Sequence, residues 1–245
     1  MMPFFTYFGG KWRAARSYPD PLCSTIVEPF AGAAGYSMRH AARRVILIDL
    51  DPVVAGVWRY LIAASASEIR SLPLLDAGQS VDDLNIHDEA RWLVGFWCNK
   101  GSAQPRKTIS AWGRDPRYSD QFWGEKIRER VAGQVDRIRH WQVIEGDYTR
   151  APDIRACWFI DPPYQVAGKN YKVQISDYSA LGEWCRSRQG QVTVCESSGA
   201  DWLPFRDFLT IKANESAHGG KVSREAIWTS GRGQTEMHFT SRGGE

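Results

Sequence analysis

The 245-residue chain is long enough for one large domain, or one domain carrying a substantial insertion, and it can bury a real core. Its 43% hydrophobic and 24% charged residues, without repeats or biased tracts, exclude collagenous, coiled-coil and wholly disordered architectures. Thirty-one Lys and Arg against 28 Asp and Glu leave +3, which names no polyanionic partner unless the cations are locally clustered. Five cysteines form an odd set without a C-x-x-C pair, as expected of a reduced, cytoplasmic compartment. The opening "MMPFFTYFGGKW" has no basic flank leading into an apolar run, so neither export nor membrane insertion is expected.

In chain order, "STIVEPFAGAAGYSMRHAARRVILIDLDP" predicts a buried strand ending near Val27, a small-residue turn, a helix from about Gly35 to Arg43 and a second strand from Val45 to Ile48. That is a βαβ unit. From Leu50 to Trp141 the pattern turns helical, in "VVAGVWRYLIAASASEIRSL" and "FWGEKIRERVAGQVDRIRHW", around the irregular polar "NKGSAQPRKTISAWGRDPRYSD". This region reads as an insertion. Between Cys98 and His140 stand ten basic residues against five acidic ones. Mixed i, i+4 charges on a solvated helix face account for part of the excess, and the loop cations are harder to dismiss. "WQVIEGD" and "ACWFIDPPY" follow as strands ending in aspartate, the second stopped by Pro162 and Pro163, because proline cannot donate to a sheet ladder. "QVTVCES", "FRDFLTIKA" and "REAIWTS" complete the strands, the last two forming a terminal antiparallel pair.

Three short motifs bear on chemistry. "PFAGAAG" lets a backbone approach a ligand, but Phe30 occupies the first glycine position of G-x-G-x-x-G, which counts against a nicotinamide dinucleotide. Asp49 ends the next strand about 20 residues after the start of the turn, where a carboxylate suits ribose hydroxyls. Asp49 and Asp51 equally suit capping of a helix beginning at Pro52. "GGK" at Gly9 to Lys11 fails the phosphate-loop pattern, since Trp12 replaces the hydroxyl residue. The sharpest signal is "DPPY", Asp161 to Tyr164, which brings a carboxylate, a rigid carbonyl and an aromatic face to the carboxyl end of a strand, where open α/β sheets bind ligands.

Through "YFGGK", "EPFAGAAG", "LIDLD", "EGDY" and "DPPY" in that order, the chain resembles the Dam-type family of DNA adenine-N6 methyltransferases. The resemblance implies an α/β fold, a seven-stranded methyltransferase sheet with a reversed final strand, residues 1–55 and 141–245 forming the catalytic domain and 56–140 a mainly helical DNA-recognition insertion. It implies S-adenosylmethionine as methyl donor, held by Tyr7, Gly9, Gly10 and Lys11 at its methionine end, Phe30, Ala31 and Gly32 beneath it, Asp49 at the ribose, and Asp147 with Tyr148 at the adenine. Ala34 stands where the family usually has a second glycine, so the backbone there is expected to avoid positive φ.

Asp161, Pro162, Pro163 and Tyr164 are the implied catalytic residues: Asp161 and the Pro162 carbonyl accept both hydrogens of a flipped adenine's amine, and Tyr164 stacks on its ring. Lys100, Arg106, Lys107, Arg114 and Arg117 are candidates for contacts to DNA bases or phosphates. In "QVAGKNYKVQISDY" a mobile segment is expected to order over the flipped base, with Lys169 or Lys172 on phosphate and Tyr171 at the pocket. Double-stranded DNA is the expected partner of a monomer or weak dimer, and no metal is expected. Cytosine-N4 or RNA amino methylation, and a catalytically silent DNA-binding relative, are the competing readings.

Overall fold

Apolar runs bounded by aspartate, glycine and proline become the strands of a mixed sheet with helices on both faces. The computed structural model describes residues 1–166, 174–212 and 222–230. Strands β1 (Thr25–Glu28), β2 (Arg44–Asp49), β3 (Gln142–Glu145), β4 (Ala156–Ile160) and β5 (Gly190–Ser197) are parallel to one another. Two more, β6 (Arg206–Lys212) and β7 (Val222–Ser230), complete the order β3-β2-β1-β4-β5-β7-β6. Pairing of β7 is antiparallel to both β5 and β6, so the final strand is the reversed one and the expected sheet is present.

Every residue of β1 and β4 is buried, as parallel strands covered on both faces require. Alternation sends Ile26, Leu47, Cys157 and Phe159 to one core and Val27, Ile46, Ile48 and Trp158 to the other. The first face is covered by the aromatic N-terminal segment and by helices α1 (Pro52–Ala63), α3 (Asp88–Trp97) and α4 (Glu125–Val135). The second is covered by α5 (Tyr178–Ser187), through Leu181 and Cys185, together with Trp202 and Leu203. Trp58, Phe96, Trp97, Trp123 and Trp141 belong to the same apolar cluster as the sheet residues, so the helical region between β2 and β3 shares its core with the sheet.

Several boundaries differ from expectation. The helix expected over Gly35 to Arg43 is a single 3₁₀ turn, Ser37–His40. Its entry is fixed by tertiary contacts: a Cβ on Gly35 would lie 2.5 Å from the Trp12 nitrogen, and the Ser37 N–H donates at 2.6 Å to the buried Glu28 carboxyl. The helical run after Asp51 is split, with α2 (Ala66–Ser71) restarted by Ser65, whose hydroxyl accepts from the Glu68 N–H. Helix α5, unforeseen in the sequence, begins where the Asp177 carboxylate accepts from the Ala180 N–H at 2.9 Å. All five cysteines are unbridged, and among the described residues no helix is long and apolar enough to cross a membrane.

Candidate functional site

Beyond the carboxyl ends of β1, β2 and β4 opens a cleft of about 420 Å³. All ten residues expected around the donor line it: Tyr7, Gly9, Gly10, Lys11, Phe30, Ala31, Gly32, Asp49, Asp147 and Tyr148. Asp161 and Pro163 line it too, whereas Pro162 is buried and neither it nor Tyr164 reaches the lining.

The small-residue turn forms the floor. The Ala31 N–H donates to the Ile48 carbonyl at 2.9 Å, which ties the turn to β2. Both Asp49 carboxylate oxygens hold backbone: Oδ2 accepts from the Gly32 N–H and Oδ1 from the Asp51 N–H, each at 2.9 Å. The Asp51 carboxylate accepts from the Val53 N–H and caps α1, with Pro52 at the first turn. The capping reading holds for Asp51, and Asp49 lines the cleft beside it. Burial pushes the Asp49 carboxyl up to about 6, against the pull of its two backbone donors. The expectation for Ala34 is overturned: its φ is +48°, the sole positive value outside glycine among the described residues. A tight turn imposes it, since the Ala34 N–H reaches the Ala31 carbonyl at 2.6 Å, and a methyl group is the smallest side chain to bear a strain of roughly 1–2 kcal/mol.

Close packing at Gly35 lays the Lys11–Trp12 backbone directly against this turn and carries the Lys11 side chain into the site. Lys11 is buried, with Nζ 2.9 Å from Asp161 Oδ1, 3.1 Å from the Gly9 carbonyl oxygen and 4.8 Å from the centroid of the Tyr164 ring. Asp161 is held above the usual carboxylate range by burial, a push the Lys11 ammonium partly offsets. The Tyr164 hydroxyl donates to Glu225 Oε2 on β7 at 2.6 Å, so the ring is anchored to the reversed strand at one end and faces a cation on its plane.

Glu28, at the end of β1, also lines the cleft and is pushed by burial from an ordinary 4.5 to about 8, so it is neutral at pH 7. A folded value above the unfolded one means that the stability it contributes is full below about pH 4.5 and is lost as pH rises toward about 8. Glu28→Gln is therefore expected to match the wild type in thermal melts at acid pH and to exceed it by on the order of 3 kcal/mol at neutral pH. Parallel curves for the two proteins across this range would mean that the carboxyl is ionised in the fold.

At the far end, Phe30 and Tyr148 form a tilted ring pair 5.7 Å apart beside Asp147, whose carboxylate accepts from the Thr149 N–H at 2.8 Å. Sequence reasoning missed Gln104, which lies in the irregular basic loop, lines the cleft and donates from Nε2 to Asp51 Oδ2 at 2.5 Å. Gln174 to Asp177, the end of the segment expected to close over a flipped base, line the cleft as well. No local pattern marks Gln104, because it is brought in by a fold-level crossing.

None of Lys100, Arg106, Lys107, Arg114 and Arg117 lines the cleft. Lys107 is paired with Asp82 and Arg117 with Asp115, Arg114 donates to the Ile109 carbonyl, and Arg106 is exposed. Lys169, Tyr171 and Lys172 lie outside the described residues. Among the described residues no cluster of His, Cys, Asp and Glu has the arrangement of a metal site.

No family profile matches the chain, and no curated protein does. Among solved structures it is similar to the 23S rRNA methyltransferase ErmE, with 12% identity over 91% of this chain and 66% of that one at a TM-score of 0.39, so it spans just under two thirds of that protein. It is also similar to the rRNA methyltransferase aviRa from Streptomyces viridochromogenes (14%, 94% and 87%, TM-score 0.39). The glycopeptide N-methyltransferase MtfA complexed with S-adenosyl-L-methionine follows at 11% identity, 91% and 78% coverage and a TM-score of 0.37. Likenesses of this size leave substrate and activity to the site itself.

Proposed function

We propose that the chain is a site-specific DNA adenine-N6 methyltransferase using S-adenosylmethionine, acting in the cytoplasm as a monomer or weak dimer. The observation that carries this reading is the meeting of Asp161, from "DPPY", with Asp49 and the small-residue turn around one cleft. The residues present fit the donor: the volume lies in the range of about 300–1,000 Å³ typical of small-molecule sites, Asp49 offers a carboxylate at the end of β2, and the Phe30–Tyr148 pair offers aromatic faces. Bound there, the donor supplies an electrophilic methyl group.

The work of the protein is orientation. Adenine's exocyclic amine is a weak nucleophile, because its lone pair is delocalised into the ring. A hydrogen bond from its N–H to Asp161, the acceptor of the motif that lines the cleft, would direct the lone pair out of that plane and stabilise the positive charge that develops on nitrogen; the Pro162 carbonyl expected as the second acceptor does not line the cleft. Raised proton affinity at Asp161 suits it to take the surplus proton afterwards, while Lys11 keeps the carboxylate in place. Reaching a paired amine requires the base to leave the duplex, a cost of a few kcal/mol offset by contacts in the pocket.

The test is transfer of labelled methyl to duplex DNA, followed by nucleoside analysis. N6-methyladenine is the expected product. Label on cytosine, or uptake by RNA alone, would replace the adenine reading, and donor binding without transfer to any nucleic acid would leave the silent relative.

A further inference from the structure

The loop between α3 and α4 enters the cleft at Ala103 and Gln104, which line it together with Asp49 and Asp51. Its backbone is fixed on both sides of Gln104. Ahead of it, the Phe8 N–H donates to the Ser102 carbonyl and the Gln104 N–H to Ser102 Oγ, each at 3.2 Å. After it, Pro105 and Arg106 lie directly on α3: a Cβ added to Gly95 would stand 2.8 Å from both the Pro105 Cβ and the Arg106 carbonyl oxygen. The Arg106 N–H donates to the Gly95 carbonyl at 3.0 Å.

The side chain is oriented as firmly as the backbone. Gln104 Nε2 donates to Asp51 Oδ2 at 2.5 Å, and the Asp51 N–H donates to Asp49 Oδ1 at 2.9 Å, so two hydrogen bonds link the amide to the carboxylate proposed at the ribose. A carboxylate only accepts, so the amide cannot turn its oxygen toward Asp51 without losing the bond. Gln104 makes no other side-chain hydrogen bond with a described residue, which leaves Oε1 and one N–H of a fixed amide to what fills the cleft. Each Asp49 oxygen already accepts one backbone N–H, so a pair of adjacent hydroxyls finds only the remaining lone pairs there. A second acceptor beside Asp49 answers the second hydroxyl.

We propose that Gln104 binds the ribose of the methyl donor, its Oε1 accepting from one of the two hydroxyls, and that the donor site is thereby completed by the helical region rather than built from the sheet segments alone. This rests on the donor proposed above and is independent of the nucleic-acid acceptor. Asp51 then has a task beyond capping α1, as the group that sets the orientation of the amide.

The test is calorimetric titration of the full chain, wild type and Gln104→Leu, with S-adenosylhomocysteine and with its 2′-deoxy and 3′-deoxy analogues. Gln104→Leu is expected to bind S-adenosylhomocysteine about five- to tenfold more weakly than wild type. On the analogue that lacks the hydroxyl served by Gln104 the two proteins are expected to bind alike, while on the other analogue the difference persists. Comparing ligands within each protein separates this effect from any loss of stability in the variant. Equal affinity of the two proteins for S-adenosylhomocysteine would overturn the inference. An equal loss on all three ligands would overturn it too, making the bond to Asp51 a strut of the loop. A wild type that binds none of the three would instead remove the donor from the cleft, and the inference with it.

Discussion

Asp161→Ala is expected to abolish methyl transfer, with a loss of at least about a thousandfold in turnover, while the donor still binds. The removed oxygens are the acceptors proposed for the target amine, and they stand at the end of β4, apart from the Asp49 wall of the cleft. Donor affinity is not wholly insulated, because Lys11 loses a partner 2.9 Å away and lines the same cleft. Asp161→Asn separates the two effects: it keeps an acceptor oxygen and the packing but removes the charge that holds Lys11. Calorimetric donor titration beside a turnover assay reads both quantities. Wild-type turnover in the alanine variant would remove Asp161 from the reaction, and a donor affinity that collapses in step with turnover would make its role structural.

For Asp49 the expected split is the opposite. Asp49→Ala should raise the donor dissociation constant by the equivalent of about 1.5–3 kcal/mol, with less effect on turnover at saturation. The structure adds a reason beyond ribose recognition, since the lost carboxylate also secures the Gly32 and Asp51 N–H groups and thereby the floor of the cleft. With its carboxyl pushed up to about 6, Asp49 in the free protein takes up a proton as pH falls through that value. Donor binding that uses the ionised form therefore weakens on acidification in the wild type and is flat over the same window in Asp49→Asn. The fold itself responds with the other sign: stability contributed by this group is full below about pH 4 and is lost as pH rises toward about 6. An unchanged donor affinity in the alanine variant would take Asp49 out of the site.

What the sequence makes legible is what is local. Strands announced themselves as apolar runs closed by Asp49, Asp161 or proline, and the ten residues expected at the donor, all of which line the cleft, came from short motifs that carry the family resemblance, six of them at the ends of β1, β2 and β3. The sign of φ at Ala34 was hidden, because it follows from the carbonyl of Ala31 closing the turn and from no preference of alanine. The pairing of Lys11 with Asp161 and of Tyr164 with Glu225 was hidden too, since each joins residues far apart in the chain whose meeting depends on the whole sheet order. Gln104 stood in a segment whose cations drew attention to DNA contacts, and a lone uncharged amide among them gave no sign of reaching the cleft. Helix α5 escaped because its apolar positions, such as Leu181 and Cys185, are few and follow directly on a polar stretch.

The tryptophan-rich core common to the sheet face and the helices between β2 and β3 bears on how specificity could be redesigned. A graft that exchanged residues 56–140 for those of another protein would cut through Trp58, Phe96, Trp97 and Trp123 and return a chain unable to close its own interior. The stretch from Asn99 to Gln121 is anchored differently, by backbone bonds such as Phe8 to Ser102, Arg106 to Gly95 and Ser110 to Cys98, which ask little of side-chain identity. A transplant confined to that stretch, keeping Gln104 for its bond to Asp51 and Ile109 and Gly113 for their packing, spares the tryptophan core, and a folded chain is expected from it; under the function proposed above, an altered site preference is the property to assay.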